Sequence, residues 1–253
     1  LPHSPHDIRE DIGITSFDEF GQYFPEFCKY WNPFKYSRIE EKMPGRSGDF
    51  LTFGYPAFDS KWIDYQEKKK LNVNENTKKI GLILIRNFYD VNTKVPEGEF
   101  FTVSYKTNMN FLNRLSDSLK NLSHDIHLII KPHPKASLPR TKELIENSNL
   151  ENYTISYEPF FEQIKHIDFV VSTYTTSLLL TQICGVPTIL VEDYVQKYVN
   201  EWNILEDMYK GLSLYVEEDE SLSDKIKIAL ESYDSSKDIN HLRSYFPDNN
   251  LDS

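Results

Sequence analysis

Two short clusters in this chain carry residue types suited to holding an anion. The first is Lys131-Pro132-His133-Pro134, an ammonium and an imidazole two positions apart with proline on both sides of the histidine. Proline fixes its own φ and pushes the residue before it into extended conformations, so the imidazole is held in one direction. So placed, the pair suits a phosphate; the plain alternative is a stiffened loop with a surface histidine. The second cluster is Ser172-Thr173-Tyr174-Thr175-Thr176-Ser177, where every residue bears a hydroxyl. One hydroxyl is enough to cap a helix. The surplus, added to free N–H groups at the positive end of a helix dipole, suits phosphate binding. This is not a Walker loop, because no Gly-x-x-x-x-Gly-Lys pattern is present.

Other candidates are single residues. Arg86 directly follows a strand-like run and is an anion ligand by residue type. Glu158 and Glu192 each follow a strand pattern, where a carboxylate can hold a ribose hydroxyl; both are also ordinary loop acids in an acidic chain. His3, Ser4, Pro5, His6 and Asp7 put two imidazoles and a carboxylate in one proline-fixed loop, a combination that can serve as a general base.

These residues need elements to position them. The run at 126–130, apolar from Leu128 after His127, ends at the Lys-Pro-His-Pro cluster, which suits a strand buried on both faces of a parallel sheet, with a helix following at 140–148. Alternation continues with strands at 80–85, 153–157, 168–172, 188–191 and 212–216. Helices are expected at 108–122, 160–167, 175–184, 195–209 and 222–233. Strict β–α alternation implies a doubly wound parallel sheet with right-handed crossovers. Ligands bind such sheets at the carboxyl ends of the strands, where both clusters fall. A long loop at 87–107 lies at the same edge, and Gly185-Val-Pro187 reads as punctuation between helix and strand.

Ahead of this pattern lie an aromatic, helix-like stretch at 17–31, a short strand at 49–53 and a break at Gly54-Tyr-Pro-Ala-Phe-Asp59. The expected organisation is the end portion of one domain at 1–59, a linker at 60–78, a Rossmann-like domain at 79–235 and a C-terminal tail at 236–253, whose stretch 241–253 is expected to be mobile or packed across the partner domain. The chain starts with Leu, and the expectation is a fragment of something longer.

With 253 residues, the chain is large enough for one large or two small domains. A net charge of -11 argues against nucleic acid as partner, so an anionic ligand needs a local basic pocket. Cys28 and Cys184 lack metal-ligand spacing and read as two reduced thiols, which points to a cytosolic setting. No apolar run is long enough to span a bilayer.

In order, the Gly54–Asp59 turn, a strand ending in Arg86, Lys131-Pro-His-Pro134 and Ser172–Ser177 followed by Gly185-Val-Pro187 resemble bacterial GT-B transferases of surface polysaccharides. The resemblance is to CDP-glycerol glycerophosphotransferases, with capsule Kdo transferases and polysialyltransferases nearby. It implies a GT-B architecture, with residues 1–57 closing an acceptor-side domain and 79–235 binding the donor nucleotide. His133, Pro134, Ser172, Thr173, Thr175, Thr176 and Ser177 would hold the donor's phosphates and nucleotide. The family's His-Gly-Thr-Pro loop has an imperfect counterpart at His3-Ser-Pro-His6, leaving the base open between these two histidines. The acid commonly found ahead of the hydroxyl cluster is absent, so the donor is CMP-, CDP- or UDP-linked. The resemblance further implies transfer of a glycosyl or glycerophosphate group to a polysaccharide or lipid-linked acceptor without a metal or other cofactor. It places the protein in the cytoplasm, at the inner face of the membrane through regions outside this chain. A sugar-nucleotide 2-epimerase, which shares the architecture, and a noncatalytic nucleotide-binding domain, since much of an acceptor domain is absent from this stretch, are the alternatives.

Overall fold

The structure is a computed structural model that describes residues 30–32, 50–52, 78–89, 103–134, 136–173, 175–191, 209–217 and 219–245. Strands β1 (Tyr30–Asn32) and β2 (Phe50–Thr52) form a parallel pair. Tyr30 and Trp31 are therefore strand, where the aromatic spacing suggests helix. After them come β3 (Lys79–Ile85), β4 (Phe88–Tyr89), β5 (Val103–Ser104), α1 (Tyr105–Lys120), β6 (Ile126–Pro132), α2 (Leu138–Glu146) and β7 (Tyr153–Ile155). The remainder is α3 (Phe160–Gln163), a 3-10 turn at Ile164–His166, β8 (Phe169–Ser172), α4 (Thr176–Ile183), β9 (Thr188–Val191), β10 (Tyr215–Val216), α5 (Leu222–Glu231) and α6 (Ser235–Tyr245).

Six strands form one parallel sheet in the order β10-β9-β8-β3-β6-β7. The chain leaves β3 toward β6 and β7, then returns to β8 on the other flank and winds outward to β9 and β10. The direction of winding thus reverses at β3 and β8, which is the expected doubly wound topology. Both faces are buried. Ile83 and Ile85 point into a cluster with Phe111, Leu112 and Leu115 of α1, Leu144 and Ile145 of α2, and Ile226 of α5. Leu82 and Leu84 point the other way, toward Ile164, Leu178 of α4 and Leu242 of α6. Each such fully buried aliphatic side chain contributes about 1.5–3 kcal/mol. Gly81 is required by packing, because a Cβ there would lie 2.5 Å from the Phe169 ring.

Local signals decide where elements begin and end. Ser104 caps α1 by accepting the Thr107 N–H at 3.0 Å, so the helix starts at Tyr105, three residues ahead of the expected 108. The expected loop at 87–107 contains the short parallel pair β4 and β5. Helix α2 starts at Leu138, ahead of the expected 140, with proline in its first turn, a position where a missing N–H costs nothing. Helix α4 closes on Gly185 at φ 68, with Gly185 N–H donating to the Gln182 carbonyl and Val186 N–H to that of Thr181, at 2.9 and 3.0 Å.

The tail differs from its expectation. Its first part is helix α6, which packs against α4 and buries Leu242. Asp238 anchors this helix: its carboxylate accepts from the Ser213 N–H at 2.8 Å and from the Tyr233 hydroxyl at 2.9 Å. Burial first, and then the Asp238 charge, push the Tyr233 phenol well above its ordinary value. The expected helix at 195–209 falls almost wholly outside the described residues, as does the linker up to residue 77.

Candidate functional site

Strand register brings the two clusters together. Leu84 pairs with Lys131 of β6 on one side and with Ser172 of β8 on the other, so the carboxyl ends of β3, β6 and β8 lie side by side. The chain reverses its winding at β3 and β8, so the loops above these strands leave in opposite directions and open a crevice between them. A cleft open to solvent occupies this place. Arg86, Lys131, His133, Pro134, Ser172, Thr175 and Ser177 line it, with Pro132 and Phe160.

Arg86 follows β3 and is 6% exposed. Its main-chain carbonyl accepts the Asn108 amide of α1 at 3.1 Å, which fixes the turn that carries the guanidinium. His133 follows β6, and its backbone N–H donates to the Ile85 carbonyl at 2.9 Å, extending the β3–β6 ladder by one bond. The imidazole is thus carried on backbone that the sheet already holds. Thr175 is the N-cap residue of α4, in extended conformation at φ -156 and ψ 147, yet its side chain makes no capping hydrogen bond. A threonine there normally spends its hydroxyl on the helix. Here Thr175 and Ser177, at the start of α4, both line the cleft.

Not every expected ligand has the expected role. Ser172 is fully buried and its hydroxyl donates to the Leu84 carbonyl at 3.2 Å, so its proton ties β8 to β3 instead of reaching for a phosphate. Thr173 is 3% exposed and does not line the cleft. Thr176 opens α4. Glu158 is exposed and not among the lining residues; its main-chain carbonyl, rather than its carboxylate, takes part, by accepting the Lys131 ammonium. Lys131 itself is held below the usual lysine value by burial, against the opposing pull of the Glu158 charge. His3, His6, Asp7 and Glu192 lie outside the described residues.

Two contributors escape the sequence reading. Phe160 starts α3 and walls the cleft; its place directly after Glu158-Pro159, at the carboxyl side of β7, is the signal that marks it. Asn108 reads as the start of a helix, but is 2% exposed and supports Arg86. Among the described residues no group of three or more His, Cys, Asp or Glu side chains is placed to hold a metal ion. No helix among them is long and apolar enough to cross a membrane.

Chemically, a guanidinium, an imidazole and the start of a helix on one cleft can neutralise charge that develops on phosphate oxygens. The parallel doubly wound sheet with this crevice is the α/β architecture of GT-B transferases. One solved structure with this fold is the wall teichoic acid polymerase TagF, in a substituted form soaked with CDPG, at 16% identity and a TM-score of 0.50 over 96% of this chain. The chain spans 58% of the length of that structure. MurG from Acinetobacter baumannii aligns at 13% identity and a TM-score of 0.40, over 76% of this chain and 51% of its own. No protein-family model matches the sequence, and no curated protein matches it.

Proposed function

We propose that this chain is part of a GT-B transferase that moves a glycosyl or glycerophosphate group from a nucleotide-activated donor to a polysaccharide or lipid-linked acceptor. The observation that carries this reading is the convergence of Arg86, His133 and the first turn of α4 on one cleft at the switch point of the sheet. As the bond to the leaving nucleotide breaks, negative charge grows on its phosphate oxygens. Groups already oriented toward that position stabilise it without having to reorganise. The acceptor hydroxyl attacks from the facing domain, its proton passing to His3 or His6, with Asp7 orienting the imidazole. The donor is CMP-, CDP- or UDP-linked, the acceptor a growing cell-surface or capsular polymer, and the site of action the cytoplasm at the inner membrane face.

A thermal-shift panel of CMP, CDP, UDP and GDP tests this. A ligand at one hundred times its Kd stabilises the folded state by about 2.7 kcal/mol. For a chain of this size that raises Tm by roughly 5–10 °C. CDP is expected to stabilise; a flat response to all four nucleotides would defeat the donor-binding reading.

A further inference from the structure

Lys131 has a different job from the one its charge suggests. Its ammonium donates to the main-chain carbonyl of Glu158, a residue 27 positions further on. That carbonyl belongs to the loop between β7 and α3, which begins with the Ser156 N–H donating to the Ile130 carbonyl at 2.9 Å. On one side of Glu158 stands Tyr157, at 57% one of the most exposed large apolar side chains described. Two residues beyond Glu158 comes Phe160, which walls the cleft. The cleft is therefore divided. Arg86, Thr175 and Ser177 stand above β3 and β8, His133 sits at the β3–β6 seam where its N–H meets the Ile85 carbonyl, and Pro134 and Phe160 stand toward β6 and β7. Lys131 lies between the two halves, and its one described hydrogen bond goes to the aromatic half.

Resting on the donor-binding reading, we propose that Lys131 is a positioning residue. Its ammonium braces the β7–α3 loop and so shapes the half of the cleft that receives the flat base of the ligand's nucleoside end, while the phosphates are met by the other half. A cation that contacts phosphate lowers the affinity of every phosphate ligand when it is removed. A brace under the nucleoside end, once removed, weakens only ligands that have a nucleoside.

The test compares Lys131→Met, which keeps the stem and removes the donors, with Lys131→Arg, which keeps a donor able to reach a carbonyl. Each is titrated calorimetrically with CDP and with inorganic pyrophosphate, beside the wild-type chain. Lys131→Met is expected to bind CDP about tenfold more weakly, the scale of one lost charge-assisted hydrogen bond, and to bind pyrophosphate as the wild type does. Lys131→Arg is expected to recover part of the CDP affinity. Equal weakening toward both ligands overturns the proposal and makes Lys131 a phosphate ligand; unchanged affinity for both overturns it too. A wild-type chain that binds pyrophosphate but no nucleotide strikes instead at the donor-binding reading beneath it. Should Lys131→Met fail to fold, the CDP-to-pyrophosphate affinity ratio of Lys131→Arg decides, a drop confined to pyrophosphate overturning the assignment.

Discussion

The two edges of the sheet are built from similar residue types and put to opposite uses. At the amino edge, Asp168 just ahead of β8 accepts the Ile80 N–H at 2.7 Å and the Lys79 ammonium at 3.3 Å, while its own N–H donates to the Ile80 carbonyl at 2.8 Å. Charge meets opposite charge, and strands β3 and β8 are clipped together. At the carboxyl edge, Arg86 after β3 and His133 after β6 line one cleft in a chain whose net charge is -11. Thr175, which sits where a cap belongs, leaves the helix uncapped by its side chain. One edge satisfies itself. The other sets cationic and hydroxyl-bearing residues on a cleft in a strongly acidic chain, a local charge pattern suited to an anionic ligand.

The contrast predicts that mutations at the two edges separate stability from binding. Its largest expected effect is on stability. Asp168→Ala leaves the Ile80 N–H without its partner, a loss of about 2 kcal/mol once the partly exposed Lys79 pair is discounted. In a chain of this size that corresponds to a fall in Tm of roughly 4–8 °C. Nucleotide affinity, measured by titration below the transition, should stay within twofold of wild type. An affinity loss that matches the stability loss would erase the distinction between the edges.

His133→Ala reverses the pattern. The backbone bond from His133 to Ile85 survives the substitution, so the ladder is intact and Tm should fall by less than in Asp168→Ala. Loss of one charge-assisted donor to phosphate costs about tenfold in affinity for CDP and in donor turnover by the full-length protein. Unchanged turnover would remove the imidazole from the site.

How far the sequence anticipates these edges depends on the range of the interaction involved. The sheet is legible because residues 82–85, 169–171 and 189–191 are unbroken apolar runs, and burial on both faces explains such runs. That Arg86, His133, Thr175 and Ser177 line one cleft is legible because each follows a strand end, and parallel topology sends all strand ends to one edge. What stays hidden is every role set by a partner distant along the chain. Ser172 and Leu84 are 88 positions apart, and only their pairing turns a presumed phosphate donor into a tie between strands. Asp238 draws in Ser213 across 25 positions and turns an apparent tail into a packed helix. Within shorter range, Tyr30 and Trp31 mislead because aromatic residues suit strands as well as helices, and pairing with β2 decides the matter.

The smallest expected effect is the most discriminating, because it tests the uncapped helix directly. Replacing a working N-cap threonine ordinarily costs about 0.5–2 kcal/mol. Thr175 makes no capping bond, so Thr175→Val, which keeps the β-branched shape suited to its extended backbone, should cost less than about 0.5 kcal/mol. Against this, removing one neutral donor from the phosphate side of the cleft should weaken CDP binding by roughly threefold to tenfold. A denaturant titration gives the first quantity and calorimetry the second. A stability loss of normal capping size with unaltered affinity would mean that Thr175 serves the helix after all, and the carboxyl edge would then differ from the amino edge only in its cations.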